Sequence, residues 1–176
     1  MKANEILTKY AEGTRDFTGI NLSEADLREV NLSGAILDKA ILDGANLTSA
    51  NLAQTSLIEA DLNGANLSNA DLTSSNLTGA ILDGAILDAA ILDGANLSQA
   101  DLTVAKLIEA NLSEAELHET NLKAANLDKA DLSGADLTVA DLTQANLTQA
   151  DLNEANLSGA NLEGANLEGT ILDENV

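Results

Sequence analysis

Residues 95–117 read ANLSQADLTVAKLIEANLSEAEL. Leucine stands at 97, 102, 107, 112 and 117, and alanine sits two places before each of them. The spacing of five extends far beyond this stretch. From Phe17 to Leu172 every fifth residue is Leu, with Phe only at the start, giving 32 units without an insertion. With that position called i, position i−2 is nearly always Ala. From residue 20 onward the exceptions are Ile20, Val30, Thr55, Ser75, Thr120 and Thr170. Position i−1 is mostly Asn or Asp, and positions i+1 and i+2 are mostly polar or Gly.

A period of five suits neither regular element. Five residues turn a helix by about 500°, so the leucines would spiral around it. Five is odd, so a continuous strand would put successive leucines on opposite faces. The pattern works if each unit is a short extended segment followed by a corner. Within the segment i−2 and i share the inner face and i−1 points outward. The corner at i+1 and i+2 resets the direction. Glycine supports this placement, because every glycine except Gly13 falls at i+2. Gly accepts the positive φ that a type II turn needs at its third residue. Where i+2 is Glu, Gln, Lys or Val, the sequence predicts a different turn. Four sides close a square coil of 20 residues, and 32 units make 8 such coils.

These residues, A-(D/N)-L-x-x in tandem, resemble the pentapeptide repeat family over about residues 15–174, and the near-uniform array is similar to the long ones common in cyanobacteria. The resemblance implies an all-β fold, a right-handed quadrilateral parallel β-helix. At an inter-strand spacing of about 4.8 Å, 8 coils make a rod roughly 38 Å long. The expected organisation is an N-terminal helical cap over residues 1–14 and the β-helix over 15–176. Residues 4–12, NEILTKYAE, read as the helix, with Asn4 as N-cap and Gly13 as terminator. Ile6, Leu7, Tyr10 and Ala11 form its apolar side, and Phe17 is placed to plug the first coil. The C-terminal EGTILDENV offers no comparable cap. That edge either pairs end to end with a second copy or frays in solvent, helped by Asp173 and Glu174.

Net charge is −21, the isoelectric point about 4.1 and the aromatic content 1%. There is no cysteine, so disulfides and thiolate metal sites are excluded. The acidic excess argues against direct binding of nucleic acid or anionic membranes, and permits a basic protein partner. No apolar run reaches the roughly 18 residues of a membrane span, and the N-terminus lacks a signal-peptide core, so a cytoplasmic location is expected. The single histidine, His118, stands at i+1 between Glu116 and Glu119 without a nucleophile beside it. No enzyme activity, cofactor or metal is expected.

Function is therefore sought on the outer surface. Sorting residues by side gives a fourth side, that of Leu32, with Asp71, Asp93, Glu114, Asp131, Asp151, Glu154, Asp173 and Glu174 and no Lys or Arg. The interaction residues expected are Asp71, Asp93, Asp131, Asp151 and Glu154 there, and Ile41 and Ile81 on the second side. The isoleucines belong to Ile-Leu-Asp cassettes, as in GAILDGAILDAAILDGA at 79–95, where the acid has moved from i−1 to i+1. The leading expectation is a non-catalytic interaction rod. The alternative, implied by the family resemblance, is a mimic of B-form DNA that modulates a type II topoisomerase such as DNA gyrase.

Overall fold

The computed structural model describes residues 3–172. One helix, α1 (Ala3–Ala11), precedes a stack of coils. Each i−1 residue from Asp16 to Asn146 forms a parallel bridge with the residue 20 positions later, as in Asp16↔Ile36 and Asn146↔Asn166. Four five-residue units therefore make one turn. Each side contributes a single bridge to its neighbour rather than a long strand, because only i−2, i−1 and i are extended before the corner begins.

The backbone donors of one unit can be followed in full. In the unit of Leu97, Asn96 N–H reaches the Ser75 carbonyl one coil earlier (2.9 Å). Leu97 N–H and Gln99 N–H reach Glu116 and His118 carbonyls one coil later (2.7 and 2.9 Å). Ala100 N–H closes the corner onto the Leu97 carbonyl (3.0 Å). That leaves the i+1 amide, and the side chain at i−1 takes it: Ser98 N–H donates to Asn96 Oδ1 at 2.9 Å. This is an Asx turn, in which the short polar side chain replaces a missing backbone acceptor. The Asn/Asp preference at i−1 follows directly.

The inner positions fill the rod. Leu at i and Ala at i−2 are fully buried from Leu32 to Leu147. A small residue at i−2 lets the leucines of four sides meet near the axis. The polar exceptions at i−2 are buried too, and they differ in how they are satisfied. Thr55 and Thr120 donate to the Leu52 and Leu97 carbonyls (2.6 and 2.8 Å). Ser75 Oγ has no partner among the described residues.

The corners correct one expectation. Every i+2 residue from Gly19 to Gly169 has positive φ, whether or not it is glycine. Glu24, Lys39, Gln54 and Val104 adopt φ of 55°, 56°, 59° and 49°, against 60° to 75° at most of the glycines. Where i+2 is not Gly the turn is thus the same, not a different type. The reason is that the i+2 amide is bonded along the stack, so the coils impose the corner and the residue bears a cost of about 1–2 kcal/mol. Val104 and Val139 are the severest cases, being β-branched.

The N-terminal helix also departs from expectation. It begins at Ala3, so Asn4 lies inside it and is no N-cap; the Asn4 carbonyl accepts the Thr8 hydroxyl (2.8 Å). Its end agrees with the sequence reading. Gly13 has φ 97°, its amide reaches Tyr10 O (3.0 Å), and Thr14 N–H reaches Lys9 O (2.9 Å). This is the double hydrogen bond of a Schellman motif. Ile6 is buried and Leu7 and Tyr10 pack on the core, whereas Ala11 is exposed, outside the apolar side assigned to it. Tyr10 Oη donates to the Ser33 carbonyl (2.7 Å), and Arg15 lies over the Tyr10 ring at 3.9 Å. Phe17 is buried in the first coil. At the other end Leu157, Leu162 and Leu167 are only partly buried. Asp173 and Glu174, invoked for fraying of that edge, lie outside the described residues.

Candidate interaction surface

The outward residues form vertical columns, one residue per coil. On the fourth side the i−1 column runs Asn31, Asn51, Asp71, Ile91, Asn111, Asp131, Asp151, each bridged to the next. The structure makes Asp131 and Asp151 direct neighbours. It separates Asp71 from them by Ile91 and Asn111. Asp93 lies in the parallel i+1 column, where its Oδ1 accepts the Ser113 hydroxyl at 2.8 Å. Glu154 is exposed at a corner with φ 60°. Asp173 and Glu174 of this side are not among the described residues.

Three of these acids also hold the backbone. Asp71 Oδ1 accepts Thr73 N–H and Oγ1–H (3.0 and 2.6 Å). Asp131 Oδ1 does the same with Ser133 (2.9 and 2.6 Å). Asp151 Oδ1 takes Asn153 N–H (2.9 Å). One carboxylate oxygen is occupied in each, so the other is the one that can meet a partner. The sequence reading assigned these residues to the surface and missed this second task. The signal was present in the recurring D-L-T, D-L-S and N-L-S triplets, which place a donor two residues after an Asx acceptor.

The ion pairs lie elsewhere. Arg28 grips Asp26 (Nε–Oδ1 2.8 Å, Nη2–Oδ2 2.6 Å), Lys39 meets Glu59 at 3.4 Å and Lys129 meets Glu109 at 4.0 Å. His118 Nε2 is 3.4 Å from Glu119 Oε1. All four pairs sit on the first or third side. Among the described residues no cation neutralises the fourth side. Hydrogen bonds from Arg28 side chain and backbone hold Asp26 down at about 2. The Thr138 and Thr143 hydroxyls, then their amides, lower Asp136 and Asp141, with a smaller push on Asp136 from His118. These carboxylates are anionic at neutral pH.

On the second side Ile41 and Ile81 stand two coils apart. Ile41 and Ile81 are exposed, at 38% and 46%, but Asp61 is bridged between them. They are two isolated apolar tips, and Ile91, also exposed, faces a different side. A groove of about 410 Å³ lies beside α1, lined by Asn4, Leu7, Asp26, Arg28, Glu29 and Val30. Its one cation is spent on Asp26, and it holds no nucleophile with a base. Among the described residues no three His, Cys, Asp or Glu side chains are grouped to hold a metal ion, and no helix is long and apolar enough to cross a membrane.

With this geometry in view, comparison with known proteins is decisive for the family. The family profile for pentapeptide repeats, which spans eight copies of the unit, matches six overlapping ranges running from 16–54 to 136–173. The chain belongs to the pentapeptide repeat family. This pentapeptide repeat protein is similar to HetL from the cyanobacterium Nostoc sp. strain PCC 7120, a pentapeptide repeat protein involved in heterocyst differentiation regulation. The two are 34% identical over 97% of each chain, with a TM-score of 0.30. It is 35% identical to alr5209, a pentapeptide repeat protein of Nostoc PCC 7120, over 68% of this chain and 85% of that one, with a TM-score of 0.34. A trypsin-treated form of QnrB1, a plasmid-mediated fluoroquinolone resistance protein, is 16% identical over 89% and 90% of the chains, with a TM-score of 0.59. That last likeness is one of fold alone. A search of the curated proteins found no significant match. The fold is the right-handed β-helix solenoid of the pentapeptide repeat family, in keeping with the likeness to QnrB1.

Proposed function

We propose that this pentapeptide repeat protein is a non-catalytic rod of about eight coils, capped by α1, that binds a protein with a basic surface through its fourth side. The observation that carries the reading is the run of carboxylates on that side with no cation among the described residues to neutralise it. A rigid column sets these charges at intervals of about 4.8 Å and multiples of it. Charge so displayed steers a basic partner and raises its association rate.

The second reading is a DNA mimic acting on a type II topoisomerase such as DNA gyrase. The stacked carboxylates Asp131 and Asp151, on a straight support, favour it. Acids on all four sides weigh against a single duplex-like face.

A pull-down at two salt concentrations tests both. The baits are the wild type, Ile41→Asn with Ile81→Asn, and a variant with Asp71, Asp93, Asp131 and Asp151 all changed to Asn. Asn retains the Oδ1 acceptor, so the last bait loses charge without losing its turns. A partner held at low salt, released at high salt and lost with the Asn bait supports fourth-side binding. If that partner is DNA gyrase, mimicry takes first place. Binding that survives salt and fails only with the isoleucine variant overturns the acidic-side reading.

A further inference from the structure

The i+1 amide of a unit usually takes its acceptor from an Asn or Asp at i−1, and nine of the 32 units have neither there: the six Ile-Leu-Asp cassettes, Glu116-Leu117-His118, and two more that stand over a cassette. The triplets of those two are Ser56-Leu57-Ile58 and Lys106-Leu107-Ile108. In both, the acceptor comes from the coil beneath. Asp38 Oδ1 takes Ile58 N–H at 3.1 Å and the Ser56 hydroxyl at 2.5 Å. Asp88 Oδ1 takes Ile108 N–H at 3.0 Å. Asp38 and Asp88 are the displaced acids of two Ile-Leu-Asp cassettes.

The other cassettes provide the contrast. Above Asp43, Asp83 and Asp93 lie units with their own Asx residue. There the amides go to that residue instead: Asn63 to Asp61 (3.1 Å), Thr103 to Asp101 (3.0 Å) and Ser113 to Asn111 (2.9 Å). The displaced acid reaches up to the amide where the overlying unit lacks an Asx side chain, and not where one is present.

We infer that the Ile-Leu-Asp cassettes at 36–38 and 86–88 are inter-coil caps, each holding a backbone amide of the next coil. The device couples two coils through one side chain. It also releases the i−1 position of the upper coil from its usual task. Lys106 is the one basic residue at an i−1 position in this chain, and it stands directly over such a cassette, bridged to Ile86. Lys106 thus occupies an i−1 position whose amide-capping task is carried by the Asp88 carboxylate below. The device places these two cassettes in the fold rather than in partner binding.

Amide exchange in a two-site cycle tests this. Asp38→Ala should speed exchange of the Ile58 amide about tenfold, the equivalent of about 1.4 kcal/mol for a hydrogen bond to a charged acceptor. Asp38→Asn, which keeps the oxygen, should restore most of the protection. Ser56→Asn gives the upper unit its own acceptor, so Asp38→Ala should have little effect in that background. Asp88→Ala with and without Lys106→Asn repeats the cycle at Ile108 and covers the case in which one variant fails to fold. Asp93→Ala should leave Ser113 exchange unchanged. An unchanged Ile58 rate in Asp38→Ala, or an equal increase in the Ser56→Asn background, overturns the inference.

Discussion

Replacing Ser75 by Ala should make the protein more stable, although it deletes a polar group from a structure that satisfies nearly all of its others. Ser75 is 2% exposed and its Oγ has no partner among the described residues. It stands in the i−2 column between Thr55 and Ala95, where Ala is the usual occupant. An unsatisfied buried hydroxyl costs about 1–3 kcal/mol, and Ala removes that cost without opening a cavity of methyl size. Taking about 2 kcal/mol, the midpoint of thermal unfolding should rise by about 6 °C for a chain of this length. Thr55→Ala and Thr120→Ala are the controls. Their hydroxyls are bonded to Leu52 and Leu97 carbonyls, and their methyl groups fill space, so each should lose about 1–2 kcal/mol. Urea denaturation followed by circular dichroism reads all three variants. The reasoning rests on the opposite sign of Ser75 and the threonines. A Ser75→Ala protein no more stable than wild type would show that the hydroxyl has a partner in solution, the Leu72 carbonyl being the nearest equivalent of the Thr55 contact.

Asn146→Ala should cost about 1–3 kcal/mol in urea denaturation, because Thr148 N–H and hydroxyl both lose their acceptor and Asn126 Oδ1 loses one of its two donors; Asn146→Asp should cost less. Tyr10→Phe removes the bond to Ser33 O and should raise amide exchange along α1 by up to about tenfold while leaving central coils unchanged. Asp26 should titrate near 2, against an ordinary 3.8, in a carboxyl-detected NMR titration, and Arg28→Gln should move the midpoint back up. Since the folded value is depressed, the Asp26–Arg28 pairing is complete above about pH 4 and is lost as pH falls through about 2.

The five-residue period was enough to read the coil, its inner Leu and Ala and its outward columns, because burial at i−2 and i leaves few ways to close a chain. The corners were harder. Glycine at i+2 announced a left-handed residue at positions such as Gly44, but Glu24 and Val104 give no such sign. Their conformation is imposed by amides bonded across coils, an effect outside any five-residue window. The helix start was misplaced for a similar reason: Asn4 is a good cap by type, yet the chain continues its helical turn back to Ala3. On the surface, counting charges by side located the acidic columns. It did not show that Asp71, Asp131 and Asp151 each spend one oxygen on the backbone. That task lies in the contact between an Asx side chain and the amide two residues on, which a count of charges does not read.

The direction of the backbone hydrogen bonds has a mechanical consequence. Between the coil of residues 75–94 and the next, each side contributes three bonds aligned with the axis, twelve in all. A load spread evenly over a coil face is shared by all twelve at once. A load applied to one end of the chain reaches them a few at a time, because the thread leaves the stack from its last turn. The rod should therefore resist uniform axial tension far better than it resists being unwound, and extension by the chain ends should release it in small steps of about one side or one coil.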